Sequence, residues 1–508
     1  MLKWTIYVSF LGAVVTALLP LRREGWARWV ALLTVIVGAG LAGGGLSQVA
    51  AQDGARLVLA DRAWVPELGI RYTLAADGLS AVLAALTGVA AAAGVLFSWN
   101  VEGRVREFFG LYLWLVGAVY GVFLSFDLFL FFVFYELAIV PKYFLIAIWG
   151  STRREYAAMK LVLYSFVGSA MVLLALLAAY VMAGKTSFAW ADLAGHPFPR
   201  AFQMWAFPLM FVGFGILAGL WPWHTWAPTG HVAAPTAASM LLAGVVMKLG
   251  AYGCLRVAMP LFPEALQPWG ESILGFRSWP QVFAWLGLLG ILWGGLVALA
   301  QRDFKFVIGY SSVSHMGFVI LGLMTLNLAG WQGAVLQMVS HGLIAGLLFA
   351  VVGRMVYDRT HTRDLQQLGP MRLAQALPFA AVSFVLAGAA SAGMPGFSGF
   401  IAEVHVLLGA WQRWPALAVL AGIGVLLGVA YIWRSLQGAF LGDESGERPG
   451  HKGSMPDLPG ITWPERLGTV LLLVGVIYLG LYPKPFLQLV TPVLDGSLYR
   501  ELQAGGVW

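Results

Sequence analysis

The chain has 508 residues, of which 60% are hydrophobic and 11% are charged. An ordinary soluble domain has roughly 45 to 50% apolar and about 25% charged residues, so this composition excludes a soluble enzyme, a nucleic-acid-binding protein and a disordered chain. The net charge of +7 is interpreted as topology, because surplus Lys and Arg concentrate in the cytoplasmic loops of membrane proteins. The composition therefore predicts a multi-pass integral membrane protein.

The chain has a single cysteine, Cys254. One thiol forms no internal disulfide and cannot by itself hold an iron–sulfur cluster or a Cys-rich zinc site. The sequence has no HExxH motif, and no spacing of its histidines matches a metal site. A G-x-G-x-x-G pattern at Gly38, Gly40 and Gly43 lies inside an apolar span with no preceding strand, which favours close helix packing over dinucleotide binding. We expect neither a cofactor nor a metal in this chain.

A transmembrane helix needs about 20 largely apolar residues, and this criterion predicts about fourteen spans in an all-α membrane protein. They cover residues 3–21, 27–47, 77–98, 108–125, 128–149, 160–183, 204–226, 234–258, 281–300, 306–328, 332–356, 376–411, 415–434 and 467–483. The first run lacks a small-x-small cleavage signal before Arg22 and Arg23, so it is interpreted as a retained span. Lys and Arg are more frequent in one set of alternate loops, which includes Arg359 and Arg363. Loops rich in these residues are normally cytoplasmic, so the bias predicts that both termini lie outside the cytoplasm. The long stretches Ser47 to Ala76 and Gly442 to Pro459 are predicted as loops.

Two spans are predicted to be broken at membrane depth. The stretch 213–236 is rich in Pro and Gly, and the span 376–411, too long for one crossing, carries Gly393, Pro395, Gly396 and Gly399. Non-helical backbone at that depth is tolerated only inside protein or beside a water-filled cavity. The breaks lie five spans apart, as two inverted five-helix repeats would place them, and two unrelated proline kinks are the alternative. We expect one membrane domain over 1–508, with antiporter-like repeats at 105–260 and 281–440.

Four charged residues lie well inside the predicted spans: Glu136, Lys142, Lys248 and Glu403. Each costs a few kcal/mol near the bilayer centre, so each is a candidate functional residue. Glu136 is about 13 to 14 Å deep at 1.5 Å per residue, and Lys248 lies at comparable depth. The structural alternative for both is a buried ion pair, whereas Lys142 is close enough to the end of its span for its long side chain to snorkel.

Histidines add to this set. His224 and His231 flank the first break, while His315, His341 and His405 lie in later spans. Neutral imidazole both donates and accepts hydrogen bonds, so a row of histidines can pass protons at neutral pH. The alternative for any one of them is an ordinary histidine in the protein core.

Several stretches resemble subunit M (chain 4) of complex I, a proton-pumping, antiporter-like membrane subunit. They are FYELAIVPKYFLIAIW from Phe134 to Trp149, HTWAPTGHVAAPTAASMLLAGVVMKLGAYG from His224 to Gly253, DFKFVIGYSSVSHMGF from Asp303 to Phe318, SHGLIAGLLFAVVGRMVYDRTHTRDL from Ser340 to Leu365, and GMPGFSGFIAE from Gly393 to Glu403. An acid at Glu403, together with GRMVYDRTHTRDL, resembles subunit M rather than its L-type relative.

The resemblance implies a subunit without redox centres that transfers protons while NAD(P)H or ferredoxin reduces quinone elsewhere in the complex. Its partners would be other membrane subunits and lipids, and its location a bacterial plasma membrane or a thylakoid-type membrane. The residues that would form its proton-translocating polar axis are Glu136, Lys248, His315, His341 and Glu403. Further possible site residues are Lys142, His224 and His231. The alternative is an antiporter-like or scaffold subunit of a Na+/H+ antiporter, a membrane hydrogenase or an inorganic-carbon uptake module.

The sequence departs from the family pattern in the first half. Leu217 stands where the family places the lysine that pairs with Glu136, Thr229 and Ala233 replace the usual acids, and Lys142 replaces a common Met. In a straight helix Lys142 would lie about 9 Å along and some 240° around from Glu136. We therefore expect a first half without standard coupling, either a spacer or a rearranged route, unless a bent helix or a bridging water joins the two charges.

Overall fold

The computed structural model describes residues 1–20, 22, 24–272, 274–442 and 458–504, so Arg23 and most of the predicted loop from Gly442 to Pro459 lie outside the described residues. Helices dominate the chain. They are α1 (Lys3–Leu18), α2 (Trp26–Ala50), α3 (Gly78–Phe97), α4 (Val105–Leu124), α5 (Leu128–Leu137), α6 (Ile139–Trp149), α7 (Arg154–Met182), α8 (Trp190–Ala194), α9 (Arg200–Ala218), α10 (Trp226–Ala233), α11 (Thr236–Leu261), α12 (Trp279–Ala300), α13 (Phe304–Met324), α14 (Leu328–Thr360), α15 (Leu365–Leu368), α16 (Leu373–Ala376), α17 (Pro378–Ser391), α18 (Ser398–Arg413), α19 (Pro415–Ala439), α20 (Trp463–Leu481), α21 (Lys484–Leu494) and α22 (Ser497–Ala504).

Twelve helical segments in the described part of the chain are long and apolar enough to cross a membrane, if α5 with α6 and α9 with α10 are each taken as one segment. Two further predicted spans fall on the shorter apolar helices α1 and α17. These segments confirm the predicted all-α multi-pass membrane fold. The count of about fourteen crossings stays a prediction.

Both predicted breaks are present. The first follows α9, where Gly219 has a φ of +83° and the chain re-enters helix only at Trp223. The second separates α17 from α18, and there Gly393 and Gly396 have φ values of +70° and +94°. Glycine adopts this left-handed backbone without a steric penalty, which explains why it stands at both breaks. The assignment of 105–260 and 281–440 as inverted repeats stays a prediction.

Helices α11 and α14 form the centre of the bundle. The most apolar 18-residue window of each is entirely buried, whereas only a third of the corresponding window is buried in α2 and in α20. They approach closely through two glycines. A Cβ atom on Gly342 would lie 2.6 Å from the Gly244 carbonyl oxygen, and one on Gly244 would lie 3.0 Å from the Gly342 carbonyl oxygen. Small residues permit such backbone contact between membrane helices. The two central helices therefore meet at one defined point.

Three π-helical segments interrupt the central helices: Leu242–Val246 and Cys254–Ala258 in α11, and Ala350–Tyr357 in α14. A π-turn adds a residue to the helical turn, which rotates the following side chains and frees backbone carbonyl groups. Lys248 follows the first segment, while Arg256 and Arg354 lie within the other two. The irregular turns therefore occur where basic side chains enter the bundle.

The stretch from Ser47 to Ala76, predicted as a loop, contains an antiparallel β-hairpin of β1 (Leu57–Val65) and β2 (Ile70–Ala76). Arg71 and Asp61 form an ion pair of 2.9 Å across the two strands. The hydroxyl groups of Tyr72 and Tyr7 lie 3.0 Å apart, which joins the hairpin to α1. We call this end of the bundle the hairpin end, and the opposite end, where Arg354, Arg359 and Arg363 lie, the basic end.

Candidate functional site

The centre of the site is Lys248, which is completely buried in α11. Its Nζ atom lies 2.5 Å from the carbonyl oxygen of Ala243, in the π-helical segment, and 2.6 Å from Nδ1 of His341 on α14. The contact between Gly244 and Gly342 sets the separation of these helices. One hydrogen lies between the Lys248 and His341 nitrogen atoms, so one atom donates while the other accepts. A hydrogen bond therefore joins the two central helices at this point.

His315, on α13, continues this row. Its ring centroid lies 5.4 Å from that of His341. Its Nε2 atom lies 3.0 Å from Ser391 Oγ, and its Nδ1 atom lies 2.9 Å from Gln337 Nε2. The amide NH2 of Gln337 can only donate, so Nδ1 accepts in this state and Nε2 carries the hydrogen that it donates to Ser391. Three helices therefore supply the row as far as His315, and α17 adds Ser391, which holds the His315 ring.

Glu403 ends the row. It is 4% exposed on α18, and its Oε1 atom lies 3.4 Å from His315 Nδ1. The second helix break makes room for its carboxyl group, because a Cβ atom on Gly393 would lie 2.5 Å from Glu403 Oε2. The predicted residues Lys248, His341, His315 and Glu403 are thus brought together, and we call these four residues the axis.

His231 lies beside the axis on α10. It is completely buried, and neither ring nitrogen has a hydrogen-bond partner among the described residues. The charges of Lys248 and Lys305 both act on its ring. Lys305 is also buried, and its Nζ atom donates to the carbonyl oxygens of Ala234 at 3.0 Å and Val232 at 3.4 Å, at the end of α10. A cavity of about 240 Å³ at the basic end is lined by Lys305.

His224 and His405 form no hydrogen bond with the axis in the described part of the chain. His224 is buried at the first break, with its ring 6.3 Å from Tyr310 and its Nδ1 atom unpartnered within the described chain. His405 is 2.8 Å from the carbonyl oxygen of Ile401 in its own helix, through Nδ1. His405 therefore satisfies a local backbone group rather than extending the row.

Glu136 and Lys142 form a separate region on α5 and α6. Lys142 is 1% exposed, and its Nζ atom has no hydrogen-bond partner among the described residues, nor has Glu136 Oε1. Leu217, where a family lysine was expected, is apolar and buried in α9.

Two buried ion-pair clusters lie outside the axis. At the hairpin end, Arg256 contacts both carboxylate oxygens of Asp77 at 2.6 and 2.7 Å. At the basic end, Glu465 accepts from Arg354 and Arg359, each at 2.8 Å. Each cluster joins two helices near their ends, a structural role that paired buried charges can fill.

The sequence analysis also missed Gln337 and Ser391, the two polar groups that hold His315. The predicted site residues were all charged residues or histidines inside the spans. Gln337 precedes His341 by four residues, and residues four apart share one face of a helix. A polar residue at that spacing within an apolar span was the available signal.

A helical bundle with two broken helices and a buried row of ionisable groups at its centre is the architecture of an ion-translocating membrane protein. The comparison with known families agrees. The family described as "NADH:quinone oxidoreductase/Mrp antiporter, TM" matches residues 125–428. The chain belongs to this family.

Curated relatives match nearly the whole chain. NAD(P)H-quinone oxidoreductase chain 4 1 of Synechococcus sp. (strain JA-2-3B'a(2-13)) is 36% identical, covering 98% of this chain and 93% of the relative. NADH-quinone oxidoreductase subunit M of Escherichia coli (strain K12) is 35% identical, covering 96% of each. Among solved structures, a chain of respiratory complex I from Thermus thermophilus with bound NADH superposes with a TM-score of 0.85 at 28% identity, covering 99% of this chain and 100% of that chain. The predicted resemblance to subunit M is confirmed.

Proposed function

We propose that this chain is a proton-translocating membrane-arm subunit of a complex I-type NAD(P)H or ferredoxin:quinone oxidoreductase. The single observation that supports this best is the axis, a connected row of titratable groups at the bundle centre. Lys248 Nζ lies 2.6 Å from His341 Nδ1, and His315 Nδ1 lies 3.4 Å from Glu403 Oε1. The ring centroids of His341 and His315 lie 5.4 Å apart, without a hydrogen bond between these two described residues. The relatives named as chain 4 and subunit M favour this function over the antiporter, hydrogenase or carbon-uptake alternative.

The axis works by transfer of protons between neighbours. A proton on the Lys248 ammonium passes to Nδ1 of His341, and the amine is left neutral. Because charges a few ångströms apart in a poorly polarisable interior interact strongly, each transfer changes the proton affinity of the next group. The groups therefore titrate together rather than independently.

Gln337 acts as a switch for His315. Its NH2 group donates to Nδ1 of His315 when that atom is unprotonated, and its amide oxygen has no partner among the described residues. A turn of the amide presents this oxygen to Nδ1–H once His315 is protonated. The same Nδ1 atom faces Glu403, so the amide holds His315 in place both before and after it exchanges a proton with the carboxyl group.

Protons reach the axis from the basic end through the cavity beside Lys305. Ser98, Asn100, Glu102 and Thr236 add polar groups to the cavity lining. His231 is the titratable group that would link Lys305 to Lys248, because it is buried on α10, whose end accepts from Lys305 at the Ala234 carbonyl oxygen. The chain is a multi-pass membrane protein, and we place it in a bacterial plasma membrane with both termini outside the cytoplasm.

The experiment is to purify the complex that contains this chain, reconstitute it into liposomes, and measure protons translocated per electron pair. Lys248→Met and Glu403→Gln should lower that ratio while quinone reduction and subunit content stay close to wild type. Lys185→Met, which removes an exposed loop charge, is the matched control. Wild-type ratios in both axis variants would refute the proposed function.

We also propose that the chain carries no redox centre, and that electron transfer takes place in other subunits of the oxidoreductase complex. The support is chemical: Cys254 is a single buried thiol, and the described residues hold no cluster of three or more His, Cys, Asp or Glu side chains. A visible flavin, haem or iron–sulfur spectrum that stays with the isolated subunit would contradict this.

A further inference from the structure

Two opposite charges in the first half have no hydrogen-bonded counterion among the described residues: Lys142 is buried, and Glu136 is half-buried with a buried Oε1 atom. Lys142 is 1% exposed, and Nζ of Lys142 and Oε1 of Glu136 both lack hydrogen-bond partners among the described residues. Ionisable groups at this depth are costly in a membrane, and structural ones are normally satisfied by direct contacts, as Glu465 and Asp77 are. An unsatisfied pair needs another explanation.

Pro141 interrupts the helix that carries this pair. α5 ends at Leu137 and α6 begins at Ile139. A proline has no N–H, so it cannot donate to the carbonyl oxygen four residues earlier, which belongs to Leu137. That oxygen instead accepts from Trp114 Nε1 at 3.3 Å. The missing bond lets the helix bend between Glu136 and Lys142, while Ala138 keeps helical φ and ψ values of −77° and −16°.

The surroundings of the pair are suited to proton exchange. α6 packs against α7, where Ser165 and Ser169 lie one turn apart and are buried. Ser169 Oγ donates to the carbonyl oxygen of Phe166 at 3.2 Å, and Ser165 Oγ has no partner in the described part of the chain. A hydroxyl group both donates and accepts, so it can relay a proton between an ammonium and a carboxylate.

We propose that Lys142 is the proton-exchange partner of Glu136, and that this pair replaces the pairing across to α9 that Leu217 removes. The proton leaves the Lys142 ammonium and adds to the Glu136 carboxylate, which converts a charged pair into a neutral amine and a neutral acid with no change in net charge. The first half is then an active relay rather than a spacer. The inference rests on the proposed function of the whole chain.

The experiment uses the same reconstituted complex. Glu136→Gln, Lys142→Met and the double variant should each lower the ratio of protons to electrons by the same amount, because members of one relay act as a unit and their effects are not additive. Methionine fills apolar sites of similar length, and subunit content checks assembly. Lys185→Met again removes a charge outside the membrane helices and should leave the ratio unchanged.

Lys142→Arg separates proton exchange from a static ion pair. Arginine keeps the positive charge but does not release its proton in a protein. We expect Lys142→Arg to assemble normally and to lose as much translocation as Lys142→Met. A wild-type ratio in Lys142→Arg would show that only the static charge matters, and wild-type ratios in both Glu136→Gln and Lys142→Met would show an idle first half.

The two proposals fail separately. If Lys248→Met lowers the ratio and the Glu136 and Lys142 variants do not, the inference about the pair is wrong while the proposed function stands. If Lys248→Met and Glu403→Gln also translocate at the wild-type ratio, the proposed function itself is refuted.

Discussion

The axis and the Glu136–Lys142 region both hold ionisable side chains inside the membrane, but they do so in different ways. In the axis, direct contacts join Lys248 to His341 and His315 to Glu403. In the first half, Lys142 and Glu136 each leave a buried polar atom without a hydrogen-bond partner among the described residues. In the axis the step from His341 to His315 lacks a hydrogen bond, and His341 Nε2 is unpartnered among the described residues, whereas no hydrogen bond at all joins Lys142 to Glu136. Depth in the membrane alone therefore does not decide the role of a charged residue.

The two regions also differ in what positions the charges. The axis depends on packing between α11 and α14, where the backbones of Gly244 and Gly342 touch. The Glu136–Lys142 region depends on a local break in one helix, at Ala138. A change in helix packing should therefore affect the axis, and a change in local backbone should affect the first half.

The largest effect is expected from Gly342→Ala. The added Cβ would lie 2.6 Å from the Gly244 carbonyl oxygen, so the central helices must move apart and the 2.6 Å contact between Lys248 and His341 must lengthen. Overpacking of this kind costs about 1–3 kcal/mol. We expect a lower melting temperature of the subunit and severe loss of proton translocation.

Gly346→Ala is the matched control for this variant. It adds the same methyl group one turn further along α14, where the nearest atom, from Leu472, would lie 3.9 Å away. Its melting temperature and translocation should stay at wild-type values. Equal losses in both variants would show that α14 tolerates no added methyl group, and would remove the special role of the Gly244 contact.

An intermediate effect is expected from Gln337→Met, which removes the hydrogen bond that holds Nδ1 of His315. A buried polar group left without its partner costs about 1–3 kcal/mol, and a barrier raised by 1.36 kcal/mol slows a reaction about tenfold. We expect translocation through the axis to slow by roughly that factor, with quinone reduction less affected. Gln332→Met, which removes a 2.7 Å bond to Thr491 at the hairpin end, should not slow it.

The sequence predicted the spans and both breaks because those features are local. Twenty apolar residues and a cluster of Gly and Pro act within one segment, and Gly393 and Gly396 lie where the backbone requires positive φ. The contact between Lys248 and His341 joins residues 93 positions apart. No local pattern sets that distance, because it depends on the packing of two glycines.

Two other features of the structure, the helix interruption at Pro141 and the β-hairpin, had signals in the sequence that were not interpreted. Pro141 follows Glu136 by five residues within a predicted span, and a proline inside a span predicts an interrupted helix. The hairpin was missed because Ser47 to Ala76 was considered only as a loop, although Gly69 precedes IRYTL, a short run of alternating apolar and polar residues. The π-helical turns, such as Leu242–Val246, have no comparable residue signature.

The smallest effect is expected from Pro141→Ala, which leaves both charges of the first half in place. Alanine restores the N–H that can donate to the Leu137 carbonyl oxygen, so Trp114 is no longer needed as its donor. In a continuous helix Lys142 turns some 240° away from Glu136. Translocation should fall to the level of Lys142→Met and no further, and adding Lys142→Met to this variant should cause no additional loss. Pro208→Ala, in the interior of α9, is the control for proline removal as such. If Pro141→Ala translocates like wild type and remains sensitive to Lys142→Met, the helix break does not position Lys142, and the first half is coupled in some other way than by this bend.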